Sequence, residues 1–247
     1  MFVGEAAAGN PCGVIELSSW PSDADLLAIT RKAELPVTSF FVKSGEQFHI
    51  RWFACDGEIN LCGHGSLGAG AAIMAHYALE KVVLYSKYGD VLISQQDGLY
   101  TLQLPSWRGE PCSVPKLLTP LLTDVKDTFA TRDLVFVMDS LESVNKFQPD
   151  DVSLKKVKEY HALIVTAQDG NNGYVLRYFA PKIGLSEDRA TGSAQCSLAP
   201  YWFEKLGVDK LSVRQLSNAG GYFEVEQTTA SSITIYAQAT LRTNTIS

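Results

Sequence analysis

Two short stretches of the sequence carry residues that can do chemistry at a small-molecule site. The first is Gly63-His64-Gly65, directly after Cys62, and the second is Gly192-Ser193-Ala194, shortly after Asp188. Each stretch precedes a run of small and apolar residues that is typical of a helix. The first N–H groups of a helix have no partner inside it and carry partial positive charge, so an anion can bind there. If the two stretches face each other, they predict an anion-binding cleft with His64 and Asp188 beside it.

The segments that lead to these helix starts form a repeat. Residues 50–54 are Ile-Arg-Trp-Phe-Ala, and residues 176–180 are Leu-Arg-Tyr-Phe-Ala. Aromatic and β-branched residues of this kind favour strands. Each strand is followed by an acidic turn, a glycine turn and a helix. The two halves of the chain therefore share one plan, and we expect two domains, residues 1–112 and 113–247, with a cleft between them.

Composition and charge exclude several classes of function. The 247 residues are 46% apolar, which is enough to bury a large core. The net charge is −6 and no basic run is present, so we expect no nucleic-acid partner. The sequence shows no leader with a basic start and no apolar segment of about 20 residues, which predicts a soluble, cytoplasmic protein without a membrane partner. The five cysteines lack paired spacing, which indicates free thiols and no metal site.

Several helices can be placed from local signals. Ser22 is the expected N-cap of a helix that ends before Pro36. The helix after His64 has small or apolar residues on every face, which predicts that it is buried at the centre of its half. Residues 153–159 are predicted to be part of a further helix.

The predicted strands are short and separated by turn residues. We expect one strand before the Gly9-Asn10-Pro11 turn and another directly after it, and we interpret residues 105–119 as a linker because they are polar and rich in proline. The remaining strands are predicted at residues 39–42, 47–53, 82–86, 91–94, 100–104, 134–138, 162–166, 174–179, 211–215, 222–226 and 233–237. The pair 39–42 and 47–53 is expected to form a hairpin.

The stretch Gly63-His64-Gly65-Ser66-Leu67-Gly68 also matches the dinucleotide-binding fingerprint G-x-G-x-x-G. It follows a predicted strand, and Asp90 lies about 20 residues further on, where the fingerprint has an acidic residue. However, the surrounding strands do not read as alternating with helices, and the second copy keeps only Gly192 of the glycines. We therefore favour a helix that packs closely through its glycines, and a dinucleotide-dependent oxidoreductase is only a third hypothesis.

The other reactive side chains allow two interpretations. Cys62 could be an activated thiolate, because a helix N-terminus lowers the pKa of a thiol, or it could be a buried, inert cysteine. A racemase that uses two cysteines would need a thiol in both copies, and the matching position in the second copy is Thr191. His49, His76 and His161 have no partner pattern and are interpreted as structural.

Together these segments resemble the phenazine-biosynthesis PhzF-like family, which shares the fold of diaminopimelate epimerase. The matching segments follow the family's order over most of the chain: Gly9-Asn10-Pro11, Arg51-Trp52-Phe53, residues 58–66, residues 177–181 and residues 187–202. The resemblance implies an α+β fold of two pseudo-symmetric domains, each a curved, mostly antiparallel sheet around a central helix, with the active site between them. It also implies a homodimer and a cofactor-independent isomerase that moves a proton on a small carboxylate.

Transferred by position, the resemblance also implies roles for single residues. His64 and Asp188 would move the proton. The substrate would be contacted by Asn10, Gly63, His64, Gly192 and Ser193. One departure is important: the family's Leu-Ser-Glu-Thr-x-Phe segment is Leu35-Pro36-Val37-Thr38-Ser39-Phe40 here, so Val37 replaces the acid/base glutamate.

A valine cannot transfer a proton, and a placed acid or base typically contributes about 10²–10⁴-fold to the rate. The first hypothesis is therefore an isomerase of PhzF-like type with altered or weakened activity. The second is a small-acid-binding protein on the same fold that no longer converts its ligand. The presence of His64 and Asp188 favours the first hypothesis, and Val37 favours the second.

Overall fold

Strands dominate the structure, a computed structural model that describes residues 1–60 and 62–242. Leu61, in the matching segment 58–66, and residues 243–247 of the second predicted domain lie outside the described residues. The strands are β1 (Gly13–Leu17), β2 (Thr38–Ser44), β3 (Gln47–Ala54), β4 (Gly57–Ile59), β5 (Lys81–Tyr85), β6 (Val91–Gln96), β7 (Leu99–Pro105), β8 (Glu110–Pro111), β9 (Val125–Ala130), β10 (Leu134–Met138), β11 (Leu163–Gln168), β12 (Gly173–Phe179), β13 (Lys210–Gln215), β14 (Gly221–Thr229) and β15 (Ser232–Ala237). The α-helices are α1 (Asp23–Ala33), α2 (Gly63–Tyr77), α3 (Leu141–Lys146), α4 (Asp151–Lys156) and α5 (Gln195–Leu206). Over the described ranges, no helix combines the length and the apolar character needed to cross a lipid bilayer.

The strands form one curved sheet whose order repeats between the two halves of the chain. The order β1–β2–β3–β5–β6–β7 in the first half corresponds to β10–β11–β12–β13–β14–β15 in the second, and β7 pairs with β15 to join them. In both halves the first two strands are parallel to each other, as are the third and fourth, and the remaining neighbours are antiparallel. The predicted mostly antiparallel α+β fold is confirmed. The repeated order supports, as a proposal, the division into residues 1–112 and 113–247.

The interpretation that strands do not alternate with helices was wrong. β3 and β5 are parallel and α2 connects them, and β12 and β13 are related in the same way through α5. Parallel neighbours need such a crossover connection. The β3–β5 pairing covers only Phe48–Leu84 and His49–Tyr85. A pairing this short leaves little local pattern in the sequence.

Helix α2 is enclosed by the sheet of the first half. It packs against β1, β2, β5, β6 and β7, and it is buried along most of its length. Glycines on α2 allow this close packing: a Cβ added to Gly70 would lie 2.7 Å from the Ile93 side chain. The predicted buried central helix is confirmed. Its counterpart α5 packs against β13 and β14 and is preceded by a 3-10 turn, Gly192–Ala194.

Most of the other predicted elements are present. Ser22 caps α1 by accepting a hydrogen bond from the Asp25 N–H, and β2 and β3 form the expected hairpin. The strand predicted before Gly9 is wrong, because the chain there makes only isolated bridges such as Val3–Gln238. Left-handed backbone at Phe2 (φ 62°) and Gly9 (φ 70°) turns this segment away from an extended path. The predicted linker contains β8, and β9 and α3 were not predicted.

Candidate active site

A cavity of about 530 Å³ lies at the start of α2 and at the 3-10 turn before α5. This volume is typical of small-molecule sites. Of the residues predicted to form the site, the cavity lining contains Gly63, His64, Asp188, Gly192 and Ser193. The sequence therefore identified both chain segments that meet here. Apolar residues supply much of the remaining wall: Leu35, Pro36, Val37, Ile59, Ile183 and Leu185.

The two helix starts touch each other through glycines. A Cβ added to Gly63 would lie 3.3 Å from the Cα of Gly192 and 3.4 Å from the backbone nitrogen of Ser193. A Cβ added to Gly192 would lie 2.9 Å from Cζ of Phe2. Residues without a side chain let these backbones approach so closely. The first N–H groups of both turns, which a helix cannot pair internally, are thereby brought next to each other.

Cys62 is the N-cap residue of α2. Its Sγ accepts a hydrogen bond from the Gly65 N–H at 3.3 Å and lies 3.5 Å from Nδ1 of His64. Burial raises the pKa of the Cys62 thiol above its usual range. This environment favours the buried, capping cysteine over the activated thiolate. Thr191 occupies the matching position before the second turn.

The His64 imidazole is buried and neutral. The residue is 8% exposed, and burial lowers the pKa of His64 to about 3. Its Nε2 has no hydrogen-bond partner among residues 1–60 and 62–242. Leaving a buried polar group without a partner costs about 1–3 kcal/mol.

The Asp188 carboxyl is held from two sides. Asn10 Nδ2 donates to Oδ1 at 2.8 Å, and the Thr191 hydroxyl donates to Oδ2 at 2.6 Å. Gln215 Nε2 donates to the backbone carbonyl of Asp188 at 2.8 Å, which fixes the main chain as well. Burial raises the pKa of Asp188 even though these hydrogen bonds oppose the shift. A carboxyl with a raised pKa accepts a proton more readily than an ordinary aspartate does.

Asn10 supports Asp188 instead of lining the cavity. It is fully buried, and the second hydrogen bond of its Nδ2 goes to the Ala190 carbonyl at 3.1 Å. The cavity lining does not include it within the described chain. The direct substrate contact expected for Asn10 stays a prediction, and the contact that the structure shows is the one with Asp188. Its position gives it the task of orienting the carboxyl.

The repeated arginines hold the two loops of the cavity. Arg51 donates to both oxygens of Glu58 at 2.9 and 2.7 Å, and Arg177 donates to both oxygens of Glu187 at 2.7 and 3.0 Å. Such two-point pairs fix geometry as well as charge. Nη1 of Arg177 also donates to backbone carbonyls at the end of α3, those of Val144, Asn145 and Phe147. The arginine repeat is therefore structural, and Glu187 places the adjacent Asp188.

Val37 lies in the cavity wall just before β2. It is 5% exposed and belongs to the same lining as His64 and Asp188. The position at which the family resemblance expects a glutamate therefore reaches the site. An apolar side chain occupies it here.

Sequence reasoning did not single out Arg132 and interpreted His161 as structural, and both residues line the cavity. The His161 N–H donates to the Arg132 carbonyl at 3.0 Å. Burial, followed by the charge of Arg132, lowers the pKa of His161. The two residues meet because each precedes one of two parallel neighbours, with Leu134 of β10 opposite Leu163 of β11. No sequence motif could have predicted this contact, because the two residues lie in separate loops.

The glycines of the dinucleotide-like stretch serve packing. A Cβ added to Gly65 would lie 2.9 Å from both Ser39 Oγ and Trp52 Cδ1. The side of Gly65 on which other residues carry a side chain therefore packs against the protein. In a dinucleotide site the glycine at this position lets the backbone approach the pyrophosphate. The oxidoreductase hypothesis is therefore not supported by the geometry of α2.

Comparison with known proteins agrees with the geometry. Residues 1–233 match the family model PhzC-PhzF, described as phenazine biosynthesis-like protein. An uncharacterized isomerase of Vibrio cholerae is 64% identical, over 98% of this chain and 87% of the relative. A PhzF family crystal structure from Enterococcus faecalis aligns with a TM-score of 0.87 at 32% identity, covering 96% of this chain and 92% of that one. A structure named "Predicted Epimerase" from Pseudomonas aeruginosa, 20% identical with a TM-score of 0.69 over 96% and 94% of the two chains, shows the same fold. The chain belongs to the PhzF family of phenazine biosynthesis-like proteins and has its epimerase-like fold.

Proposed function

We propose that this protein is a cofactor-independent isomerase that moves a proton on a small carboxylate substrate. The observation that supports this function is the meeting of two helix starts in one cavity beside His64 and Asp188. The names of two relatives support the reaction class. The Vibrio cholerae protein and a protein from Pseudomonas aeruginosa that is 33% identical are both called isomerases.

The carboxylate of the substrate binds at the joined helix starts. Gly63, Gly192 and Ser193 supply backbone N–H groups there, and the dipoles of both helices favour a negative charge. The same donors stabilise the negative charge that develops on the carboxylate when a proton leaves the neighbouring carbon. Binding and stabilisation of the carbanion-like intermediate therefore use one set of groups.

Asp188 and His64 transfer the proton. The raised pKa of Asp188 suits it to take the proton from carbon, while the electron pair of the C–H bond moves towards the substrate carboxylate. His64 is neutral and hydrogen-bonds the substrate. The Asp188 carboxyl, which now carries the proton, returns it to another carbon of the substrate, and no external reductant or oxidant is needed.

Val37 limits this reaction and favours a second candidate function. Because the wall position carries no carboxyl, the cavity lacks a proton-transfer group that the family resemblance expects there. We propose that turnover is weakened or is restricted to substrates for which Asp188 and His64 suffice. If these two groups do not suffice, the protein is a small-acid-binding member of the same fold.

Proton–deuterium exchange followed by NMR tests the proposal. A panel of small unsaturated and hydroxylated acids is incubated in D₂O with wild type, Asp188→Asn and His64→Gln. Exchange next to the carboxylate should occur with wild type and fall at least about 10²-fold in both variants. Asp56→Asn is the matched control, because Asp56 is an exposed carboxylate of the same cavity. Exchange that persists in both variants would show that the wrong residues are named, and Cys62 would then be the next candidate.

A homodimer and a cytoplasmic location remain proposals that rest on the family resemblance and on composition. Light scattering coupled to gel filtration measures the mass directly. A mass of twice 27.0 kDa supports the dimer, and a mass of 27.0 kDa contradicts it.

A further inference from the structure

We propose that Arg132 is a substrate-binding residue. Its guanidinium, together with the helix starts, binds the substrate carboxylate and favours it over uncharged groups of the same shape. This inference rests on the proposed function only in placing the substrate in this cavity. It concerns binding, and it does not depend on which groups transfer the proton.

Arg132 lies where a carboxylate held by the helix starts can reach it. It occupies the turn between β9 and β10, and its side chain lines the cavity with 29% exposure. Its Nη2 is 3.4 Å from Oγ of Ser193, in the turn that opens the second helix. The guanidinium therefore stands beside the same group of donors.

The guanidinium is fixed before any ligand binds. Its Nε and Nη2 donate to the two oxygens of Asp133 at 3.3 and 3.0 Å, and Asp133 is fully buried. Nη2 also lies 3.3 Å from the Tyr178 hydroxyl, and Cζ lies 5.4 Å from the centre of the Trp107 ring. A side chain that is already ordered loses little conformational entropy when it binds a ligand. Arg132 is thus held as a preorganised donor.

One edge of this guanidinium remains available. A guanidinium has five N–H donors, and the hydrogen bonds of the described residues use only Nε and Nη2. The three partners of Nη2 occupy both of its N–H groups, whereas the two N–H groups of Nη1 have no partner among the described residues and can donate to a carboxylate. A lysine at this place would offer charge without that planar pair of donors.

A separate observation indicates that the cavity is built for a polar ligand. The buried Nε2 of His64, in the same lining, has no partner among the described residues. The cavity lining thus contains unused donors on Arg132 and, in His64, a buried polar atom that the described residues leave unpaired.

Matched pairs of ligands test the inference. Wild type, Arg132→Lys and the double variant Arg132→Met/Asp133→Asn are titrated calorimetrically with benzoate and benzamide, and with succinate and succinamide. The double variant removes both charges of the pair, so no buried Asp133 charge is left alone. Arg189→Met, which alters an exposed arginine, is the control.

We expect wild type to bind at least one acid about 10- to 100-fold more tightly than its amide, the range of one charge-assisted hydrogen-bond pair. The preference should fall at least about tenfold in Arg132→Lys, fall further in the double variant and persist in Arg189→Met. An unchanged preference in the two Arg132 variants overturns the inference. The same conclusion follows if wild type shows no preference for either acid.

Phenylglyoxal labelling of wild type gives a second measurement that requires no variant. Mass spectrometry follows the rate of modification of Arg132, with Arg189 as the exposed reference. Benzoate or succinate should slow labelling of Arg132 several-fold without affecting Arg189, and the amides should not. Equal labelling with and without the acids refutes the inference. Binding that depends on Arg132 in a protein that exchanges no proton would leave the inference standing and would defeat the proposed isomerase.

Discussion

Replacing Arg177 by methionine should destabilise the fold strongly, because this arginine connects three parts of the second half. It is 7% exposed, donates to both oxygens of Glu187, and caps carbonyls at the end of α3. Methionine keeps an apolar side chain of similar length but donates no hydrogen bond. The Glu187 charge and the carbonyls of Val144 and Phe147 would lose their partner.

The structure gives the size of the effect. Breaking a buried ion pair by removing one partner costs about 3–5 kcal/mol. Each buried carbonyl left without a donor costs about 1–3 kcal/mol, less where water can replace the donor. Relaxation of α3, a short helix near the surface, offsets part of this sum. We expect the free energy of unfolding to fall by about 3–5 kcal/mol in Arg177→Met.

The repeat supplies a matched control, Arg51→Met. Arg51 donates to Glu58 in the same two-point way, but it caps no carbonyl among the described residues, and Glu58 keeps a second partner, Lys87 Nζ at 2.7 Å. Its other partner, Asp23, is 75% exposed, where an ion pair contributes at most about 1 kcal/mol. The expected loss for Arg51→Met is therefore about 1–2 kcal/mol.

Urea unfolding followed by tryptophan fluorescence measures both variants against wild type. Equal losses for the two arginines would refute the reasoning, because it attributes the difference to the carbonyl contacts and to the remaining partner of Glu58. Glu187→Gln combined with Arg177→Met should cost less than the two single variants together, since the partners interact directly.

Four further predictions concern the cavity. Val37→Glu should place a buried carboxyl with a raised pKa in the wall and increase proton exchange about 10²-fold or more over wild type, whereas Val37→Gln should not; equal exchange by both variants would contradict it. Burial raises the pKa of Asp188 above its ordinary 3.8, so the stability of wild type should fall as pH rises from about 4 through the folded pKa. The loss should be about 1.4 kcal/mol for each pH unit that separates the folded pKa from the unfolded one. Urea titrations at several pH values measure this fall, which Asp188→Asn should lack. Burial lowers the pKa of His64 from 6.5 to about 3, so wild type should lose stability as pH falls from 6.5 towards 3. NMR of the labelled imidazole at about pH 5 should show a neutral ring. A protonated ring at that pH would rule out the buried environment. Gly63→Ala would set a Cβ 3.3 Å from Gly192 Cα, so calorimetry should show carboxylate binding weakened about tenfold or more.

Local sequence patterns were sufficient for most of the elements. The aromatic and β-branched residues at 39–42 and 47–53, with the turn residues between them, predicted the hairpin of β2 and β3, because these signals act between neighbours in the chain. The all-round apolar pattern after His64 predicted the buried α2. The repeat of Arg-aromatic-Phe-Ala predicted two similar halves, although it did not show that Arg51 and Arg177 serve to hold loops.

Two short elements, α3 and β9, were not predicted from the sequence because contacts with other elements stabilise them. Helix α3 has six residues, too few to form a stable helix alone, and its end depends on the distant Arg177. Half of the residues of strand β9 are polar, and the strand gains its regularity from pairing with β10. The partner of α3 is distant in the sequence, whereas β10 follows β9 directly after the turn at residues 131–133.

For the site, the sequence by itself determined which turns can present donors, since glycine, His64 and Asp188 define local backbone and side-chain chemistry. Only the tertiary structure decided which residues meet. Asn10 lies 178 positions from Asp188 in the sequence, yet its amide donates a hydrogen bond to the Asp188 carboxyl. Arg132 and His161 become neighbours because β10 and β11 pair in parallel register. A motif specifies the chemistry and local backbone of its own residues, whereas distances between separate loops are set by sheet register and by the packing of the two halves.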